Sequence, residues 1–265
     1  MLKWCSYCQE FQGELPPYDD LRVTHGICDA CAMTIDDFDA GDRTHAKAVK
    51  NIYDRLWAAG KNSDVRAAAA VLDDASSARL RAVDILLGIV APMLYEIGRQ
   101  WERAVISVAD EHRFTTFCEE LFDLVSTRRS PELASRLATV SGEDVVLLNA
   151  AGNQHTLALR ILSLWLAHEG VHTWPVSRDG DVADAVAHTV AETMALVQRV
   201  NPKMVLVSMS LAEQRAGVVA VVESLTTLPE TRRPRILVGG YAVKMGLVEP
   251  IAGAQMLADI SQLQH

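Results

Sequence analysis

The segment VVLLNAAGNQHTLA, residues 145–158, joins a short apolar run to a loop of small residues and then to a helical pattern. The apolar run from Val145 to Leu148 is bounded by polar and small residues, which predicts a buried β-strand. The loop places His155 just before the predicted helix. A strand, a short loop and a helix in this order predict the first unit of a parallel sheet with helices on its faces.

The same alternation continues to the end of the chain. Further strands are predicted at 172–176, 204–207 and 235–238, and helices at 156–168, 183–199 and 213–228. This order predicts an α/β domain, a Rossmann-like doubly wound parallel sheet, over residues 141–265. Such sheets bind ligands beyond the carboxyl ends of their strands, so the loops after Leu148, Val207 and Val238 are the candidate binding loops.

These loops lack both the G-x-G-x-x-G fingerprint and a P-loop lysine, so neither a dinucleotide nor a nucleoside triphosphate is indicated. Serine hydroxyls offer hydrogen bonds to a buried polar group, and paired glycines let the backbone approach a ligand closely. The residues that stand out in the three loops are His155, then Ser208, Ser210 and Leu211, then Gly239 and Gly240.

This set resembles the cobalamin-binding domains of methionine synthase and the corrinoid mutases, whose signature is D-x-H-x-x-G, then S-x-L, then G-G. The resemblance implies that His155 is the axial ligand to cobalt and displaces the dimethylbenzimidazole base of cobalamin. It also implies that Ser208 and Ser210 line the pocket of the freed nucleotide tail. Gly239 and Gly240 would then make room for that tail.

The chain departs from this signature at three positions. Asn153 stands where the family has an acid, whose carboxylate would accept the other ring N–H of the histidine and raise its basicity. An asparagine carbonyl accepts that hydrogen bond more weakly, so a weaker histidine–cobalt bond is expected. Ala158 replaces the last glycine, and Ser210 stands in place of the leucine of S-x-L.

Residues 36–140 have the periodicity of helices, which are predicted at 46–59, 64–74, 77–103 and 107–126. Pro92 is expected to kink or divide the third of them. Ser107 followed by Asp110 resembles a capping box at the start of the fourth. Short connections between such helices predict a bundle of four or five helices.

Within this segment Trp101 is followed, after nine residues, by Glu111 and His112. This W-x9-E-H pattern resembles the light-sensing cobalamin photoreceptors of the CarH type. The resemblance implies that the bundle caps the upper face of the corrin. Trp101 would pack on the upper ligand, and Glu111 and His112 would contact an adenosyl group. Helical spacing puts Val108 on the face of Glu111 and His112.

Each of these residues also has a plainer interpretation. Trp101 alone would be explained by core packing. Glu111 and His112 would be explained by a solvated first helical turn, where the helix dipole favours glutamate.

The Cys-rich element, residues 1–35, contains the pairs Cys5-x2-Cys8 and Cys28-x2-Cys31, separated by 19 residues. This spacing predicts a structural zinc, which would explain how a segment with few apolar residues folds. A redox pair and unliganded thiols are the alternatives. Cys118 lies within a predicted helix and is expected to be a buried small residue.

Charge and composition limit which molecules the chain is expected to bind. The formal net charge of −9 and the lack of a lysine/arginine cluster argue against nucleic acid. The first residues lack the apolar core of a signal peptide, and no uninterrupted apolar run reaches membrane-spanning length. We therefore expect a cytoplasmic protein with reduced cysteines.

Three functions remain open. The first is a non-enzymatic light sensor with adenosylcobalamin, whose output passes through a homo-oligomer such as a dimer, or to a downstream signalling protein. A resemblance to photocobilins adds a bilin such as biliverdin, with no residue assigned to it. The second is a corrinoid methyl carrier of a methyltransferase system, which needs His155 but not the set at Trp101, Glu111 and His112. The third is a cobalamin storage or chaperone protein.

Overall fold

The computed structural model describes residues 1–5, 8, 10–32, 42–77, 80–137, 144–176, 185–259 and 263. The chain divides into two compact units, Met1–Ser130 and Pro131–His265. The predicted domain boundaries near residues 35 and 140 fall outside the described residues and stay a prediction.

The Cys-rich element contains a small sheet that the sequence did not predict. Its strands are β1 (Leu2–Cys5), β2 (Phe11–Glu14) and β3 (Val23–Gly26), followed by the short helix α1 (Asp29–Ala32). Strand β1 lies in the middle, antiparallel to β2 and parallel to β3. Leu2 and Trp4 alternate along β1 and are fully buried, so one face of this small sheet is covered.

Helices make up the rest of the first unit, as predicted. They are α2 (Asp42–Lys61), α3 (Val65–Ser77), α4 (Ala82–Ile85), α5 (Ala91–Glu102) and α6 (Val108–Leu137). A π-helical turn, Leu86–Val90, joins α4 to α5, so residues 82–102 form one continuous helix. Helix α6 begins at the predicted capping box and ends 11 residues later than predicted, at 137 instead of 126.

Pro92 marks a change of helix type instead of a break. It is the second residue of α5, within the continuous 82–102 helix, and it has no N–H to donate to the preceding turn. The wider turn lies directly before it, and the N–H of Ala91 donates to the carbonyl of Leu86, five residues back. Pro92 therefore does not divide the helix, and the expected kink stays a prediction.

The second unit is a five-stranded sheet whose strands are all parallel. They are β4 (Asp144–Asn149), β5 (His172–Pro175), β6 (Met204–Ser208), β7 (Arg235–Gly239) and β8 (Gln255–Met256), in the order β5-β4-β6-β7-β8. The helices between them are α7 (Leu157–His168), α8 (Ala185–Val200), α9 (Arg215–Thr226) and α10 (Tyr241–Lys244). Strand β8 was not predicted, because two residues carry no periodic signal.

Alternation along β4 shows why both faces of the sheet are covered. Val146 and Leu148 pack in a core that includes residues of α8 and α9. Val145 and Leu147 pack on the opposite face, with Leu166 of α7. The predicted doubly wound sheet is confirmed, and the strand order reverses between β4 and β6, where such folds bind their ligands.

Within the described part of the chain, none of the helices combines the length and the hydropathy that a bilayer-spanning segment needs.

Candidate functional site

The three predicted binding loops leave the sheet side by side. Asn149, the last residue of β4, pairs with Ser208, the last residue of β6. Ser208 in turn pairs with Gly239, the last residue of β7. Because these parallel strands end in register, the loops that carry His155, Ser210 and the glycine pair all begin at one edge of the sheet, at its switch point.

Two buried asparagines close the first loop. Nδ2 of Asn153 donates to Oδ1 of Asn149 over 2.7 Å and to the carbonyl of Ser208 over 3.4 Å. Nδ2 of Asn149 donates to the carbonyl of Asn153 over 2.8 Å. Asn149 was not among the predicted site residues. A polar residue that ends an otherwise apolar strand was the available signal.

His155 is held by its backbone and not by its ring. Oδ1 of Asn153 accepts the backbone N–H of His155 over 3.1 Å, an arrangement that a short side chain reaches two residues along. The expectation that this oxygen accepts the ring N–H of a cobalt-bound His155 stays a prediction. The imidazole is exposed, and its nitrogens make no hydrogen bond to any residue that the structure describes. A neutral imidazole with a free nitrogen is a good metal ligand.

The contacts of Asn153 also explain why it is not an acid. Its side chain must donate to Asn149 and accept from His155 at once, and an ionised carboxylate has no donor. The departure from the D-x-H pattern is thus matched to Asn149 at the end of the strand.

A buried glutamine shapes the second loop. Oε1 of Gln214 accepts the backbone N–H groups of Ser210 and Leu211, over 2.9 and 3.0 Å. Ser208 and Ser210 are half-buried, and the side chain of Leu211 is exposed. Sequence reasoning missed Gln214. Glutamine is typical at the third position after a helix N-cap, and here the N-cap is Leu211.

The glycine pair has a role within the fold. Gly240 has a φ of 101°, and a Cβ atom there would lie 2.5 Å from the carbonyl oxygen of Met209. The N–H of Met209 donates to the carbonyl of Gly239 over 2.9 Å, which locks the second loop onto the third. Gly240 is therefore required by the neighbouring loop, and its predicted role beside a ligand stays a prediction.

In the first unit, Trp101 lies near the end of α5 and is 44% exposed. Core packing therefore does not explain this tryptophan. Val105 and Val108, which flank the turn into α6, are also exposed. The turn is fixed by the predicted capping box, since Oγ of Ser107 lies 2.6 Å from a carboxylate oxygen of Asp110 and accepts the N–H of that residue. Three large apolar side chains thus reach solvent close together along the chain.

Glu111 and His112 follow this turn directly. Glu111 is half-buried, and its Oε1 accepts the hydroxyl of Thr115 over 2.8 Å. Its other oxygen lies 3.5 Å from Nε2 of His112, whose side chain is 74% exposed. The carboxylate is oriented from two sides, whereas the histidine faces solvent. Their contacts with a ligand stay a prediction.

The four cysteines of the Cys-rich element form one cluster. Their Sγ atoms all lie within 4.8 Å of one another. Cys5 and Cys28 come together because β1 and β3 are parallel and end side by side. Backbone N–H groups point at the sulfurs, from Cys28 to Sγ of Cys5 and from Cys31 to Sγ of Cys28, each over 3.5 Å. Four converging thiols can hold a metal ion.

Cys118 is fully buried in α6, as predicted. Burial raises the pKa of its thiol, so it remains a protonated, unreactive packing residue at neutral pH.

Comparison with known proteins adds three findings. Residues 52–125 match a protein family described as B12 binding domain. The monomethylamine corrinoid protein of Methanosarcina barkeri has a similar structure, with a TM-score of 0.58 and 17% identity over 78% of this chain and 92% of that one. No curated protein sequence matches the chain.

Two further solved structures align less well. One is the methanol:cobalamin methyltransferase complex MtaBC of Methanosarcina barkeri, with a TM-score of 0.37 and 14% identity over 87% of this chain and 84% of that one. The other is a cobalamin-binding protein of Desulfitobacterium hafniense, with a TM-score of 0.39 and 16% identity over 73% of this chain and 89% of that one.

The family match lies entirely within the helical part of the first unit and includes Trp101, Val108, Glu111 and His112. The structural likeness to the corrinoid protein shows a shared fold. Residues 52–125 thus match a B12 binding domain, and this match supports cobalamin binding by the chain.

Proposed function

We propose that this chain is a cobalamin-dependent light sensor that binds adenosylcobalamin. The observation that carries the proposal is the exposed apolar surface of Trp101, Val105 and Val108, directly before the oriented carboxylate of Glu111. This surface lies within the segment that matches the B12 binding domain family. Bound adenosylcobalamin supplies a cobalt–carbon bond that light cleaves.

The residues at the sheet edge suit the lower side of such a ligand. His155 offers an exposed imidazole whose backbone is fixed by Asn153. Above Gly152, a Cβ atom would meet no other atom within 4 Å, so this loop leaves open space. His155 is proposed as the cobalt ligand, while Ser208, Ser210, Leu211, Gly239 and Gly240 are proposed to hold the nucleotide tail.

The helical residues are proposed to contact the upper ligand. Trp101 and Val108 supply apolar surface that is costly to leave in water, and Glu111 supplies a fixed hydrogen-bond acceptor. A change of the upper ligand alters what covers these side chains. The newly exposed surface would then change contacts with a second copy of the chain or with a signalling partner, in the manner of a ligand-biased switch.

Three further parts of the proposal concern other ligands and location. The four cysteines are proposed to hold a structural zinc, and the protein is proposed to act in the cytoplasm. A bilin such as biliverdin remains open as a second chromophore, and an absorption band beyond those of cobalamin would reveal it.

The second candidate function is a corrinoid methyl carrier. It is favoured by the structural likeness to the monomethylamine corrinoid protein, which extends over 92% of that chain. A carrier needs the same imidazole at position 155. It gives no reason for an exposed tryptophan at position 101.

The test starts with protein loaded with adenosylcobalamin in the dark. Absorption spectra and size-exclusion profiles are recorded before and after green light. A light sensor is expected to change both its cobalt spectrum and its elution volume. Trp101→Ala should weaken the change in elution more than the spectral change, because it alters the chain's response and not the cobalt–carbon bond.

His155→Ala serves as the matched variant for ligation, since the imidazole is exposed and its loss leaves no buried group unpaired. It should alter the cobalt spectrum while the fold is kept. An unchanged spectrum would exclude axial ligation by His155. An identical elution profile in dark and light would exclude light-dependent self-assembly, and an unchanged cobalt spectrum would exclude the sensor and leave the carrier.

A further inference from the structure

The Cys-rich element contacts the 82–102 helix through an aromatic face. Trp4, one residue before Cys5, lies against Gly88 in the π turn, where a Cβ atom would come within 2.2 Å of the indole ring. Phe11 pairs with Trp4 across the strands, its ring 5.5 Å from that of Trp4 between centroids, and it also touches Gly88. Glycine at position 88 is therefore what lets the two aromatic rings reach the helix backbone.

Polar contacts join the same two parts at the start of the helix. The backbone N–H of Phe11 donates to Oδ1 of Asp84 over 3.0 Å. Asp84 is buried and also accepts from Arg81, whose guanidinium lies 2.8 Å from the carboxylate of Glu10. Buried hydrogen bonds to a charged group are stronger than neutral ones, so this junction is firm.

A third contact lies near the other end of the helix. Arg99 donates to the backbone carbonyl of Asp19, in the segment between β2 and β3, and pairs with Glu96. Arg99 is two residues before Trp101. The Cys-rich element thus touches this helix at its beginning, in its π turn and at Arg99, two residues before the proposed ligand-binding tryptophan.

The element has little to keep it folded without its cysteines. Among its described residues, the fully buried large side chains are Leu2 and Trp4, and Trp4 is covered by the helix. Elements of this size need a metal or another cross-link for stability. Cys5 is the last residue of β1, and Cys28 lies two residues after β3, so a bound metal would hold β3 against the strand that carries Trp4.

We propose that the Cys-rich element is a metal-dependent clamp on the 82–102 helix, and that metal occupancy controls how firmly Trp101 is held for its ligand. The clamp itself depends only on contacts within the first unit. Its effect on cobalamin rests on the proposed function.

The first test is hydrogen exchange on the full chain without cobalamin, comparing zinc-loaded protein with protein stripped by a chelator. Amides of residues 82–102 are expected to exchange about tenfold faster, or more, after zinc removal, because the helix loses its clamp. Strands β4, β6 and β7 should be unaffected. Equal exchange of the helix in both samples would overturn the proposal, and so would the absence of bound zinc from the native protein.

The second test uses two glycines of the same helix. Gly88→Ala should keep its zinc but lose most of the zinc-dependent protection, since the new methyl group collides with Trp4 and Phe11. Gly98→Ala is the matched control, because a Cβ there meets nothing within 4 Å. Identical behaviour of the two variants would overturn the clamp. If Gly88→Ala does not fold, Asp84→Asn, which removes the charge that pairs with Arg81, answers the same question.

The third test compares the cobalamin affinity of zinc-loaded and stripped protein. Stripped protein should bind adenosylcobalamin about tenfold more weakly than zinc-loaded protein, in proportion to the loosened helix. If neither sample binds cobalamin, the proposed function fails while hydrogen exchange still judges the clamp. Equal affinities together with altered exchange would leave a clamp and overturn its control of the ligand.

Discussion

The sheet unit and the helical unit present their proposed ligand residues in different ways. At the sheet edge, Asn153 and Gln214 are buried and hold the backbone of the loops. At the turn from α5 to α6, Trp101 and Val108 are exposed. Local hydrogen bonds fix the backbone of this turn, from Ala104 to the carbonyl of Trp101 and within the capping box. Substitutions at the sheet edge should therefore act through the stability of the fold, and substitutions at the turn through the surface that a ligand meets.

The glycines of the sheet edge offer the strongest test of this contrast. Gly240→Ala should cost about 3 kcal/mol or more, because its Cβ collides with the backbone of Met209 and its φ of 101° suits only glycine. Gly152→Ala, at a φ of 79° but in open space, should cost only about 1 kcal/mol of backbone strain. Urea unfolding of both variants measures the difference. Similar losses would mean that the loops are not locked together as described.

Asn153→Asp distinguishes a fold requirement from a cobalt requirement. The carboxylate restores the acid of the D-x-H pattern but cannot donate to Oδ1 of Asn149, which lies 2.7 Å away. We expect a loss of about 1–3 kcal/mol in the free energy of unfolding, from an unsatisfied buried acceptor. Thermal unfolding without cobalamin is the measurement, and His155→Ala is the control that leaves Asn149 paired. An Asn153→Asp protein as stable as the native one would contradict the asparagine pairing.

The stability of the turn between α5 and α6 should depend on pH, and this effect should be smaller than the effects of the substitutions at the sheet edge. Hydrogen bonds from Ser107 hold the pKa of Asp110 below its usual value of 3.8. A depressed folded-state pKa gives stability that is present above 3.8 and is lost as the pH falls through the folded value. Helix α6 should therefore weaken in acid, and Asp110→Ala should remove this part of the acid sensitivity. Circular dichroism of the Asp110→Ala variant and of the native chain, recorded between pH 2 and 6, would detect this difference. If the helical signal of both proteins falls in the same way with pH, the cap is not formed.

Periodicity was enough to predict most of the fold. Apolar runs identified β4, β6 and β7, and the 3.6-residue pattern identified the helices of both units, because these segments are long and bury one face. The strands of the Cys-rich element escaped prediction because each is short and lacks a continuous apolar run, and because Trp4 and Phe11 lie against a helix far along the chain. The π turn was not predicted, because the aromatic rings that lie against its Gly88 come from the Cys-rich element, far away in the sequence.

The candidate site was predictable only where its residues carry a chemical signature. His155 and the cysteine pairs are conspicuous in the sequence, and the cysteines do converge. Asn149 and Gln214 were missed because their importance comes from hydrogen bonds to neighbouring loops. The contact of Asn153 with the backbone of His155 was missed for a related reason, because short side chains often bond to backbone groups two residues along.

The π turn at Leu86–Val90 sets the rotational phase of the helix that contains it. A π turn accommodates one residue more than an α turn, and each residue of an α-helix advances the side chains by about 100°. Asp84 lies before this turn and Trp101 after it. If the same residues formed only α turns, Trp101 would lie about 100° away from its present direction around the helix axis, relative to Asp84. The number of residues and the type of turn between Asp84 and Trp101 therefore set the direction in which the indole faces, relative to the buried carboxylate.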